Sequence, residues 1–289
     1  MRFAPHWARV SLGEDGQPDP AGPYVGFGWS LGDPAEARAM ATRRALGVRA
    51  WVEDPEGRAD PEGDYYPTDG SVLREVVLEE GGAGAVRWAV TRNRYGAEVL
   101  NVDGMAILDV DVPARRVVVE PTGFFGRLFG RPTVRWERDD PAEVLARLRA
   151  TLDGCGLGGR VYETAAGFRV LVTSEVLSWD APRFRELLEA TGSDPLYATL
   201  CRRQECCRAR LTPKPWRLGF RGPDTGTVPT PWAPDPVPAW REWLVRYRER
   251  SAGRSTARHL ADFGPTGVVP ELVDVVARHD RCVGDGELA

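Results

Sequence analysis

The chain reads as an α+β protein: a central, mostly antiparallel sheet with helices on one side and a helical C-terminal extension. Three observations predict this class. Helix-opening signals recur at Asp33-Pro34, Asp140-Pro141 and Ala181-Pro182. Residues 159–173 alternate apolar and polar on both arms of a hairpin around Ala165-Ala166-Gly167. The tail, Ala239 to Tyr247 and Leu272 to His279, reads as two or three helices.

In chain order, residues 3–12 and 24–30 are short strands around a Gly-, Pro- and Asp-rich loop, a hairpin pattern. Asp33 as N-cap and Pro34 at the first helical position start an Ala/Arg-rich helix to about Val52. Its Arg38, Arg43, Arg44 and Arg49 read as a solvated face. Residues 54–70 are a surface loop. From Arg87, Trp88–Thr91 is a strand, Arg92–Gly96 a polar turn, and Glu98–Asn101 and Met105–Val112 are strands. Residues 114–119 alternate and pair with the next strand. Residues 123–133 place Phe124, Phe125 and Phe129 among Arg127 and Arg131 in a Gly-rich loop, suited to stacking single-stranded bases or to packing as a lid. A helix runs from Asp140-Pro141 to about Leu152, another from Ala181-Pro182 to Ala190, and a short one carries Tyr197 and Leu200. An Arg-rich strand, Cys207–Arg210, leads into Leu211-Thr212-Pro213-Lys214-Pro215-Trp216-Arg217. This divides the chain into an α+β domain over 1–221, a Pro-rich linker over 222–238 and a helical extension over 239–289.

Of the 289 residues, 42% are apolar, enough for a sizeable core and against global disorder. The net charge of −4 argues against a protein coated in basic surface for non-specific nucleic-acid binding, while leaving room for a local basic groove. The N-terminus lacks an export signal and no apolar run reaches membrane-spanning length, so a cytoplasmic protein without membrane partners and with reduced thiols is expected. Cys201, Cys206 and Cys207 lack a zinc-ligand spacing and read as core cysteines. There is no P-loop, no G-x-S-x-G, and no complete dinucleotide fingerprint around Gly26-Phe27-Gly28. His279-Asp280 lacks the further ligands that a metal phosphohydrolase needs. Lys214 is the only lysine and Ile107 the only isoleucine, and asparagine occurs only at Asn93 and Asn101. All four lie in the segments considered next.

The apolar run Met105–Val112 contains Asp109 and Asp111, two residues apart. In a strand both carboxylates leave by the same face. Paired like charges in a strand interior are costly unless a cation sits between them. Such an oxygen pair suits Mg²⁺ or Mn²⁺, with substrate phosphates completing the shell. The alternative is an inert, solvated pair at a fraying strand end. Arg208 and Arg210 share one strand face, with Lys214 just beyond, and suit phosphate or a template backbone; an ion-pair network is the alternative. Arg92, Asn93 and Tyr95 suit a ribose or base, or simply shape their turn through Asn93.

A D-x-D strand, a small-residue hairpin and a helix-preceding Asp, followed by an Arg-rich strand ending in Pro and Trp, resemble the archaeo-eukaryotic primase (primase-polymerase) superfamily over about 87–217. The resemblance implies an RRM-like sheet and a metal-dependent nucleotidyltransferase taking a nucleoside triphosphate and single-stranded or primed nucleic acid. It makes Asp109 and Asp111 catalytic metal ligands, with Asp194, after Ser193, as the third acid. Thr164-Ala165-Ala166-Gly167-Phe168-Arg169 occupies the family's hairpin turn, with Arg169 where the family has His. Thr164, Arg169, Arg208, Arg210 and Lys214 are then the triphosphate-binding set. An arginine there grips phosphate but shuttles no proton. The alternatives are an inactive relative that binds nucleotide or nucleic acid as a sensor or scaffold, and a metal-dependent phosphoesterase or nuclease. The C-terminal helices would meet a protein partner whose nature the sequence leaves open.

Overall fold

The computed structural model describes residues 1–53, 72–119, 133–224 and 226–289. In chain order the elements are β1 (His6–Leu12), β2 (Tyr24–Ser30), α1 (Pro34–Glu53), β3 (Val76–Ala83), β4 (Val86–Arg92), β5 (Glu98–Asp103), β6 (Ile107–Asp111), β7 (Ala114–Val119) and β8 (Thr133–Arg138). They continue with α2 (Pro141–Gly154), β9 (Gly159–Thr164), β10 (Gly167–Val172), α3 (Pro182–Thr191), α4 (Pro195–Gln204), β11 (Cys207–Arg210), α5 (Pro238–Ser251), β12 (Arg254–Ser255), β13 (Ala257–Phe263), α6 (Val273–Asp280) and β14 (Glu287–Leu288). The fold is thus mixed α+β with antiparallel sheets and helices, the C-terminal ones included. Among the described residues no helix is long and apolar enough to cross a membrane.

The chain folds as two compact units, each built from separated stretches. The first comprises Met1–Gly81, Trp88–Asp103 and Thr199–Ala252. Here β1 and β2 form the expected hairpin, in register from His6↔Ser30 to Leu12↔Tyr24. Helix α1 lies directly on β2, and the sequence explains why. Gly26 and Gly28 point to one face of the strand, and Ala37, Ala41 and Ala45 form a fully buried stripe at four-residue spacing on the helix. A Cβ at Gly26 would come 2.1 Å from the Ala41 carbonyl oxygen, and one at Gly28 would come 2.0 Å from that of Ala37. The backbones touch because neither side carries bulk.

The same unit holds a four-stranded sheet, β11-β5-β4-β3. Its satellite core comes from α5, where Trp240, Trp243 and Tyr247 recur at helical spacing and are buried with Val228. Trp243 stacks between Trp240 (5.2 Å) and Tyr247 (4.8 Å).

The second unit comprises Gly82–Arg87, Gly104–Ala198 and Gly253–Ala289. Its sheet, β13-β9-β10-β6, is antiparallel throughout. Helices α2 and α3 pack on each other and reach the outer strands of the sheet, β13 and β6 respectively. Asp140 caps α2 by accepting the Ala142 N–H (2.9 Å), as the Asp-Pro signal predicts. Strand β13 falls where the sequence predicts helical extension. It pairs with β9 through a register shift between His259 and Ala261, which breaks the alternation that would mark a strand. The residues after Pro238 therefore serve both units: α5 belongs to the first, and β13 and α6 to the second.

Candidate functional site

The acidic strand is β6, at the edge of the second unit's sheet. Its register with β10 sets Asp109 opposite Arg169 and Asp111 opposite Gly167; β9 then sets Tyr162 opposite Arg169. Directly paired residues share a face. Asp109, Asp111, Arg169 and Tyr162 therefore leave the sheet together, with Asp109 half-buried and Asp111 exposed. Asp194 arrives beside them through the backbone: its N–H donates to the Asp109 carbonyl oxygen (3.1 Å). Its carboxylate accepts the Leu196 N–H (2.9 Å) and so caps α4. Among the described residues no group of three or more His, Cys, Asp or Glu side chains is placed to hold a metal ion. The donor set is thus two hard carboxylates, one of them at the surface. That set fits Mg²⁺ or Mn²⁺ in the manner where one or two carboxylates anchor the ion and water and phosphate oxygens supply the rest.

Arg169 is only 5% exposed. Its guanidinium lies 3.3 Å from His279 Nε2, on α6. An arginine can only donate, so Nε2 accepts and the ring hydrogen sits on Nδ1. Nδ1 in turn donates to Asp280 Oδ1 (3.2 Å). The Tyr162 hydroxyl donates to the same oxygen (2.5 Å), and Arg160 donates to Oδ2 (2.5 Å). Burial pushes the fully enclosed His279 down to about 4; the bond to Asp280 opposes this and the Arg169 charge adds to it. Burial pushes the Asp280 carboxyl up, but bonds from His279 and Tyr162 and the Arg160 charge outweigh it and hold the group below the usual carboxylate range. Tyr162 is held protonated by burial and by its bond to Asp280. His279-Asp280, set aside as an incomplete metal motif, is thus a neutral imidazole and an anion between two arginines. A sequence signal existed: His279 lies four residues after the buried Val275 and three after Val276, on the inward stripe of α6.

Thr164 Oγ1 accepts the Gly167 N–H (3.1 Å) and the Ala166 N–H (3.4 Å), so it shapes the hairpin turn. Arg208, Arg210 and Lys214 belong to the first unit. Arg208 donates to Glu75 (2.6 Å) and to Gln204 (2.6 Å), the ion-pair alternative of the sequence reading. Asn93 Oδ1 accepts from the N–H groups of Tyr95 (3.2 Å) and Ala97 (3.1 Å), so this asparagine does shape its turn. Gly96 is left-handed there (φ 89°), and a Cβ would come 2.4 Å from the Trp243 ring. Cys201, Cys206 and Cys207 are buried, and burial pushes the Cys206 thiol up to about 12, as a core cysteine requires and a thiolate ligand does not. Arg43 and Arg44, expected on a solvated face, line a cleft of about 570 Å³ with Arg74, Met40 and Phe27. Arg44 donates to the Phe27 carbonyl there (2.6 Å). The Phe124, Phe125, Phe129, Arg127 and Arg131 cluster, and loop 54–70, lie outside the described residues. In comparisons with known proteins the chain matches no protein family, no curated protein and no solved structure.

Proposed function

We propose that this chain is a divalent-cation-dependent nucleotidyltransferase of the primase-polymerase kind, taking a nucleoside triphosphate and nucleic acid. The observation that carries this is the register of β6 on β10, in which two same-face carboxylates, Asp109 and Asp111, stand beside a cross-strand arginine. Asp109 and Asp111 hold Mg²⁺ or Mn²⁺. When bound, the ion would screen phosphate charge and favour deprotonation of an attacking hydroxyl. Arg169 sets positive potential behind Asp109 and, held by His279, does so from a fixed position. The main-chain bond from Asp194 to Asp109 pins the acidic strand from its other side.

Calorimetry with Mn²⁺ and a nucleoside triphosphate tests this, on the wild type and on Asp109→Ala/Asp111→Ala. Metal-dependent triphosphate binding that disappears in the double variant, followed by primer extension with the wild type, is the expected result. No binding of either ligand would sink the proposal. Binding without turnover, by an inactive relative, is the second reading, and two observations favour it: Arg169 is buried against α6, and the Asp194 carboxylate caps a helix. It predicts the same calorimetric result with no extension, and shortening of a labelled strand would instead mark a nuclease.

A further inference from the structure

Two polar segments more than a hundred residues apart in sequence meet in the first unit. One is the turn Arg92–Gly96; the other is the stretch from Thr212 into the 3₁₀ turn Pro215–Leu218. Their rings touch: Tyr95 and Trp216 lie edge to face, with centroids 5.2 Å apart. Lys214 Nζ stands 5.5 Å from the centroid of the Trp216 ring. Trp216 is 57% exposed, an unusual state for the largest apolar side chain. Arg94 and Arg217, the chain neighbours of the two rings, are exposed as well. Glu98, the acid at the end of the turn, is paired with Arg92 (2.6 Å).

The scaffold beneath these side chains is cross-linked by hydrogen bonds. The Glu98 N–H donates to Thr212 Oγ1 (2.8 Å), and the Leu211 N–H donates to the Glu98 carbonyl (2.8 Å). The Tyr247 hydroxyl bonds the Pro213 carbonyl (2.6 Å) and Thr212 Oγ1 (2.9 Å). Pro213 and Pro215 fix φ on either side of Lys214. An exposed tryptophan on such a mount loses little entropy when something flat lies against it.

We propose that Trp216 and Tyr95, flanked by Lys214, Arg94 and Arg217, form a stacking platform for single-stranded nucleic acid. An exposed tryptophan, braced by a half-buried tyrosine and interleaved with cations, matches a ligand of alternating flat bases and phosphates. A duplex keeps its base faces stacked inside and offers the rings nothing. The platform shares its nucleic-acid partner with the proposed function but none of its residues with the acidic strand.

The test is fluorescence anisotropy of a labelled oligothymidylate across a salt series, with unlabelled duplex as competitor. The wild type binds the strand and duplex competes poorly. Trp216→Ala weakens binding by about tenfold or more, while Trp216→Phe retains most of it. Lys214→Ala and Arg217→Ala each flatten the salt dependence by about one ion. The Asp109→Asn/Asp111→Asn variant binds as the wild type does, so loss of catalysis and loss of the platform are separable. Because Trp216 is more than half exposed, its truncation lowers the melting temperature by only a few degrees and leaves the protein folded at the assay temperature. Equal binding by wild type and Trp216→Ala, no binding by the wild type, equal competition by duplex, or loss only in the aspartate variant would each overturn the platform.

Discussion

At the scale of single residues, His279 couples stability to pH. In an unfolded chain its imidazole takes up a proton near pH 6.5; in the fold it does so only near 4. Between those values the unfolded state binds more protons, so stability falls as pH falls. A shift of this size is worth about 3 kcal/mol across the window. Asp280 adds a loss of the same sign, but only further down, below the ordinary carboxylate value. His279→Gln keeps an acceptor for Arg169 without a titrating ring. Urea melts from pH 7 to pH 4 are expected to show a flatter profile for that variant, and an unchanged slope would disprove the linkage. The common face of the β6 aspartates was legible from spacing alone, because a strand's period of two sends both residues of D-x-D to the same side. The helical stripe of α6 signals that His279 is buried, but not what it meets, because the partner that gives it a role lies 110 residues earlier.

At the scale of elements, the contact of α1 with β2 is set by the smallness of the residues on both sides, which emerges only once the strand and the helix are docked. Gly26, Gly28 and the alanine stripe leave the two backbones no room to separate or to accept a methyl group. Gly26→Ala is expected to cost about 2 kcal/mol or more, since the new atom meets backbone and cannot be relieved by a rotamer. Gly47, in the same helix, has open space where a Cβ would go. Gly47→Ala is expected to stabilise by about 0.5–1 kcal/mol. Thermal melts of the two variants should move in opposite directions; a shift of the same sign in both would refute the packing argument. The hairpin β9–β10 and the helices opened by Asp-Pro or Ala-Pro were legible in the sequence, since their signals are local. Strand β13 was not. Its pairing edge comes from β9, and a strand takes much of its preference from the neighbour that it pairs with.

At the scale of the whole molecule, the C-terminal residues contribute to both units. Ending the chain after Ser251 removes β13 and α6 from the second unit, which uncovers the edge of β9 and strips the lid from Tyr162 and Arg169. Such a product is expected to aggregate through its open edge on size-exclusion chromatography. A monomer that melts cooperatively would mean that the second unit closes without them. By itself the sequence determined the α+β class, the hairpins, the helices opened by Asp-Pro or Ala-Pro and the common face of Asp109 and Asp111. Each of these follows from period or cap within a few residues. The tertiary structure alone decided that Arg169 faces His279, that Arg208 answers Glu75, and that Tyr95 meets Trp216. These are encounters between side chains more than a hundred residues apart, and local pattern carries no information about which distant partner the fold delivers.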